Sequence, residues 1–161
     1  MNEIARLAKQ LELTFSGDAW HGPTLENALE GISAAQAAAL PAGQTHGIWE
    51  FLLHLSAWEG AALDRLTSGY VEMPTEGDWP DIGEVSEANW AEAQKKVVQR
   101  HRNLVEYVAA LSPDRLDERL GDARVRETGG GVTVAETVFG VIQHNVYHIG
   151  QIVILKKHFQ N

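Results

Sequence analysis

The stretch 134–155 limits most strongly how this chain can fold. It carries Val134, Val138, Phe139, Val141, Ile142, Val146, Ile149, Ile152, Val153, Ile154 and Leu155, so a helix built from it is apolar on most sides. Such a helix needs other elements around it. Thr133-Val134-Ala135-Glu136 has the spacing of a capping box and marks its start. Projected at ~100° per residue, Thr137, His144, His148 and Gln151 fall in one narrow polar stripe along that apolar cylinder. Polar groups inside a core must find partners or they cost free energy. A four-residue step advances a helix by ~6 Å and ~40°, so His144 and His148 leave the same face. One shared metal ion would satisfy both imidazoles; hydrogen bonds to neighbouring carbonyls would also do so.

The rest of the chain supplies the surroundings. At 161 residues it suits a single domain and can bury a substantial core. Ile4, Leu7, Ala8, Leu11 and Phe15 recur at helical spacing over 2–15, and Ser16-Gly17-Asp18 stops that helix. Thr24 can cap a short helix through Leu29, and Ser33-Ala34-Ala35-Gln36 opens another short turn that ends before Pro41. A Pro- and Gly-containing loop over 41–46 leads into a second long helix, 47–67. Ile48, Phe51, Leu52, Leu55, Trp58, Ala62 and Leu66 form its apolar arc, with Trp49 and Leu53 off that arc. Residues 69–85 have no helical period. A connection that long can return the chain to its starting end, so the helices it joins need not be antiparallel.

The third long helix, 86–111, has Trp90, Ala93, Val97, Leu104, Tyr107, Val108 and Leu111 on its core side. Lys95, Lys96, Arg100, Arg102 and Glu106 form its charged face. Ser112-Pro113 ends it, 114–120 adds a turn, and Gly129-Gly130-Gly131 reads as a hinge or turn. Four long helices with short accessory turns make an all-α four-helix bundle.

Composition narrows the chemistry. The chain has no cysteine, which excludes disulfides, thiolate ligands and a protein-borne thiol nucleophile. Any metal must be held by nitrogen and oxygen, and any thiol chemistry must use a thiol brought from outside. A net charge of −9 argues against a nucleic-acid or anionic-membrane surface and against a heavily phosphorylated substrate. No apolar run of about 18 residues is free of polar groups, so no transmembrane span is expected. The N-terminal Met-Asn-Glu-Ile-Ala-Arg lacks the basic-then-apolar pattern of a signal peptide, and the expected location is the cytoplasm.

Seven histidines compete for a metal site. In a bundle such sites are built from inward-facing side chains on different helices. Two imidazoles from one helix and one from a facing helix give a three-nitrogen site with an open position. His54 is the best third candidate, mid-helix between Phe51 and Trp58 at the edge of the apolar arc. His46 is expected to cap or orient and His21 to sit in a loop, whereas His101, on the charged face, and His158, near the frayed end, are expected to be solvated. Glu59 projects among Leu52, Leu55 and Leu66, where a carboxylate needs a cationic or hydrogen-bonding partner. Glu50 and Glu59 are the carboxylates this helix offers as a base for hydrolysis.

Other chemistries fit less well. The last helix has no Glu-x-x-His pair for a di-iron site, residue 145 is Asn where a zinc protease needs Glu, and there is no Gly-x-Ser-x-Gly. Three imidazoles suit zinc or nickel, and also iron, manganese or copper; ligand type alone does not choose. Trp58 and Tyr147 are candidate pocket walls. Gln151 is a candidate to orient a ligand or a metal-bound water.

Several blocks then carry a resemblance: Ala19-Trp20-His21-Gly22-Pro23-Thr24-Leu25, His46-Gly47-Ile48-Trp49-Glu50 leading to His54-Leu55-Ser56-Ala57-Trp58, and Gln143-His144-Asn145-Val146-Tyr147-His148-Ile149-Gly150-Gln151-Ile152. In order and spacing the chain resembles the DinB/YfiT-like superfamily of small bacterial metal-binding helical bundles over nearly its whole length. The resemblance implies a divalent metal held by one histidine of the second long helix and two of the last, here His54, His144 and His148. It also implies frequent homodimers. Relatives include transferases that join low-molecular-weight thiols such as bacillithiol to electrophiles, a mycothiol-dependent isomerase, and proteins assigned as hydrolases. The expectation is therefore a metal-dependent enzyme acting on a small molecule. Thiol S-transfer stands ahead of hydrolysis and of a non-catalytic metal-binding or dimerisation module. Surplus apolar surface on the last helix, with Trp49 and Leu53, points separately to a two-fold homodimer. Imidazoles bind metal when neutral, so affinity is expected to fall below pH ~6.5.

Overall fold

Most helices begin where a short polar side chain takes over an unpaired backbone N–H. Asn2 caps α1 (Glu3–Phe15), Thr24 caps α2 (Leu25–Leu29) and Ser33 caps α3 (Ala34–Ala38). The next helix, α4 (Ile48–Ser68), starts at Gly47, whose N–H reaches Glu50 Oε2 at 2.7 Å. It stops at Gly69, whose φ of +74° favours glycine. Ser86 and Thr133 cap α5 (Glu87–Ala109) and α6 (Val134–His158). A single 3₁₀ turn, Pro113–Arg115, follows α5.

This computed structural model describes residues 2–122 and 131–159. Of the expected glycine turn, Gly129 and Gly130 lie outside those residues. Gly131 lies inside, and a Cβ there would run into the Leu120 carbonyl oxygen. Only glycine permits the close approach in which Leu120 N–H meets the Val132 carbonyl at 2.9 Å.

The long helices α1, α4, α5 and α6 form an all-α bundle. Trp49 packs on Trp90, Arg100 donates to the Ser56 carbonyl, and Tyr107 donates to the Leu66 carbonyl. Residue numbers thus rise together, so α4 and α5 run parallel and the 69–85 connection carries the chain back. Between α4 and α6 the order is reversed: residues 48–55 pack with 149–155, whereas Leu66 packs with Val134 and Val138. A two-residue parallel ladder of Tyr70–Val71 with Gly121–Asp122 braces the connections.

The core has two apolar halves. One gathers Phe15, Ile48, Trp49, Leu52, Leu55, Trp90, Val97, Ile149 and Ile152; the other gathers Ile4, Leu7, Leu11, Leu66, Leu104, Val108 and Val138. Each large side chain taken out of water contributes ~1.5–3 kcal/mol. Exposed pairs such as Lys9–Glu12 contribute ~0–1 kcal/mol, so burial dominates. Between the halves lie buried Thr14, Glu59, His101 and Asn145.

The structure corrects several expectations. Trp49 is 1% exposed, because α4 is covered on that side as well, so it offers no surface to a second copy. Trp58 is only half-buried. His101 is buried, since α5 turns it towards α1 and α4, where it lies flat on Phe15 at 3.6 Å. Arg100 forks onto Glu76 at 2.5 and 3.1 Å. By length and composition α6 could cross a membrane, yet it packs along α4, α1 and α2 and carries its polar row mid-helix.

Candidate metal centre

His54 of α4 and His144 and His148 of α6 each turn a ring nitrogen to one place, with those nitrogens all within 4.8 Å of one another. His54 Nε2 lies 3.0 Å from His144 Nε2. The outer nitrogens fix the tautomers. Nδ1–H of His54 donates to the Asp78 carbonyl at 2.6 Å, and Nδ1–H of His148 donates to Gln151 Oε1 at 2.5 Å. Both rings therefore present a bare Nε2 lone pair inward. An Nε2–H on His144 could serve one of those lone pairs and not both. A cation would serve all three: Zn–N bonds of ~2.0–2.1 Å set tetrahedral nitrogens about 3.4 Å apart. The donor set fits a divalent metal.

Electrostatics point the same way. Burial, reinforced by the neighbouring His148 and His54, pushes the His144 imidazole down to about 4. Burial also lowers His148, against the opposing pull of its bond to Gln151. Both rings stay neutral at neutral pH, the form that binds a metal. At His144 proton competition thus sets in well below the pH of ~6.5 expected from an ordinary imidazole.

The family model of the DinB superfamily matches residues 19–152. The chain belongs to the DinB superfamily. It is a metal-binding family, and the three-histidine cluster fits that character. No curated protein matches the chain.

Aromatic rings stand close to the histidines of this DinB-superfamily member. Trp58 lies 5.9 Å from His144 and 6.2 Å from His54, Tyr147 lies 4.9 Å from His148, and Phe51 lies 5.4 Å from His148. The two expected walls, Trp58 and Tyr147, thus both stand beside the histidines, and Tyr147 is 65% exposed. Gln151 also stands there, bonded to His148.

Two residues of the 69–85 connection escape sequence reasoning. Asp78 accepts from His54 through its carbonyl and from Trp58 Nε1 through Oδ1 at 2.7 Å. Trp79 is stacked between His46 at 3.5 Å and His54 at 4.0 Å. His46 reaches the histidine cluster only through that ring. The signal available was a tryptophan in a polar loop, which must find cover somewhere. Arg65 holds the start of the loop through the Glu72 carbonyl. Arg100 holds it through Glu76, whose carboxyl is kept below the ordinary range by those hydrogen bonds.

Other candidates stand elsewhere. Glu50 uses Oε2 on Gly47 N–H and faces His46 at 3.4 Å through Oε1. Glu59 is fully buried and bonded to His101 and Asn145. Thr137 donates back to the Thr133 carbonyl and leaves the polar stripe. His21 and His158 are exposed.

Proposed function

We propose that this chain is a divalent-metal-dependent S-transferase that joins a low-molecular-weight thiol to a small electrophile. His54, His144 and His148 would hold the ion, with zinc or nickel best suited to three imidazoles and iron, manganese or copper compatible with them. When bound, such an ion lowers the pKa of a coordinated thiol and favours its thiolate. The chain's own residues do the rest. Asp78 and Gln151 keep the Nε2 lone pairs of His54 and His148 free. Trp58 and Tyr147 offer apolar faces to a small molecule beside the histidines. A carbon–sulfur bond forms as the electrophile's leaving group departs with its electron pair, and the thiol proton passes to solvent.

The observation that carries this reading is the three-nitrogen cluster in a chain without cysteine. It supplies a thiolate-stabilising centre and leaves the sulfur to a cosubstrate. Metal-dependent hydrolysis is less well supported, because both carboxylates offered as its base, Glu50 and Glu59, already accept protein hydrogen bonds. A second copy of the chain as partner is supported by Phe139, Tyr147 and Ile154 on the exposed side of α6.

The test is a panel of thiol–electrophile pairs, with an ester and amide panel beside it, run on metal-loaded and chelated protein. Conjugation that needs both thiol and metal is expected. Turnover of esters or amides without thiol would replace transfer by hydrolysis. Silence in both panels, with metal bound, would favour a non-catalytic binding module.

A further inference from the structure

Thr14, Glu59, His101 and Asn145 come from α1, α4, α5 and α6, one from each long helix, and meet between the two apolar halves of the core. Thr14, Glu59 and Asn145 are 0% exposed and His101 is 6% exposed. Their hydrogen bonds converge. The Thr14 hydroxyl donates to the Leu11 carbonyl at 2.7 Å, so its oxygen accepts from Asn145 Nδ2 at 3.2 Å. The same amide nitrogen donates to Glu59 Oε1 at 2.7 Å, and His101 Nδ1–H reaches that oxygen at 2.8 Å. The far atoms, Glu59 Oε2, His101 Nε2 and Asn145 Oδ1, have no protein partner. Apolar residues would pack here at less cost, so such a layer contributes to specificity more than to stability.

Its place on the helices suggests which specificity. Glu59 follows His54 by five residues on α4, and Asn145 lies between His144 and His148 on α6. Apolar ridges fit neighbouring grooves almost equally well, which leaves two helices several registers to choose from. A buried carboxylate has no such freedom, because any register that removes its donor leaves the charge bare. Sliding α6 by one turn, ~5.4 Å, would break the Glu59–Asn145 bond and carry His144 away from His54 in the same movement.

We propose that the Asn145–Glu59 bond, braced by His101 and Thr14, is the register pin of the metal centre. Asn145 is a positioning residue that sets where along α4 the histidines of α6 stand. The inference rests on the three-histidine reading of the site.

Cobalt(II) binding to the whole chain tests it, with affinity read by chelator competition and geometry by visible absorption. Asn145→Leu is expected to bind cobalt at least about tenfold more weakly, with shifted ligand-field bands. Leu104→Ala, in the core half that holds Leu66 and Val138 and outside the layer, serves as a comparably destabilised control that keeps wild-type affinity. The pair Glu59→Gln with Asn145→Asp exchanges carboxylate and amide across the same gap and should recover most of the affinity that Asn145→Asp alone loses. If Asn145→Leu does not fold, Asn145→Ser, too short to reach Glu59, carries the comparison. A folded Asn145 variant with wild-type affinity and spectrum overturns the pin, as does an equal loss in Leu104→Ala. Failure of the wild-type chain to bind cobalt is a different result, and removes the metal centre itself.

Discussion

The helix pair α4 and α6 holds two buried polar places that differ in the direction of their hydrogens. At His54, His144 and His148 the outer Nδ1–H groups of two rings point away, to Asp78 and Gln151, and bare nitrogens converge. At Glu59 and Asn145 the hydrogens point inward and end on one carboxylate oxygen. The first arrangement gathers ring nitrogens from three histidines at one place; the second offers a single bare ring nitrogen, His101 Nε2, beside an amide and a carboxylate. Burial of a histidine therefore does not mark a metal site. What marks it is the convergence of several such ring nitrogens on one place.

The largest expected effect breaks the Glu59 layer. Glu59→Ala leaves His101 and Asn145 as buried donors without an acceptor and should cost ~3–5 kcal/mol in urea unfolding. A loss below about 1 kcal/mol would make the layer dispensable. Next, His144→Ala should weaken metal binding more than ~100-fold, beyond what loss of an orienting partner does, in a chelator competition. The same variant should change unfolding of the metal-free protein by no more than about 1 kcal/mol. Undiminished metal in His144→Ala would end the assignment. Gln151→Ala, which frees His148 Nδ1–H, should weaken metal about tenfold without loss of stability.

A further effect is a slope with pH. Because the folded pKa of His144 is lowered to about 4, the unfolded chain holds more protons between there and 6.5. Stability of the metal-free protein should therefore fall as pH drops through that window. Urea midpoints measured stepwise across it should decline in wild type and flatten in His144→Ala.

Local features of this fold were legible in the sequence, and long-range ones were not. Thr24, Ser33 and Thr133 announce helix starts because a cap is a contact across three residues. The His144–His148 pair is legible for the same reason, and His54 through its aromatic neighbours. Glu59 declared its need for a partner but not the partner's name. His101 was misplaced because its partners, Phe15 and Glu59, are remote in sequence and nothing in α5 alone shows that face covered. Asp78 and Trp79 were illegible as site residues, since a loop without period gives no direction for its side chains.

The separation between His54 and His144 is 90 residues. Drawing those rings together closes a long segment of chain, an entropic cost met only once the intervening helices have packed. In an unfolded chain, His144 and His148 are near each other and could engage an ion in passing, but His54 cannot join them. Metal should then be captured tightly only at the end of folding. The centre would record that folding is complete and would not template it.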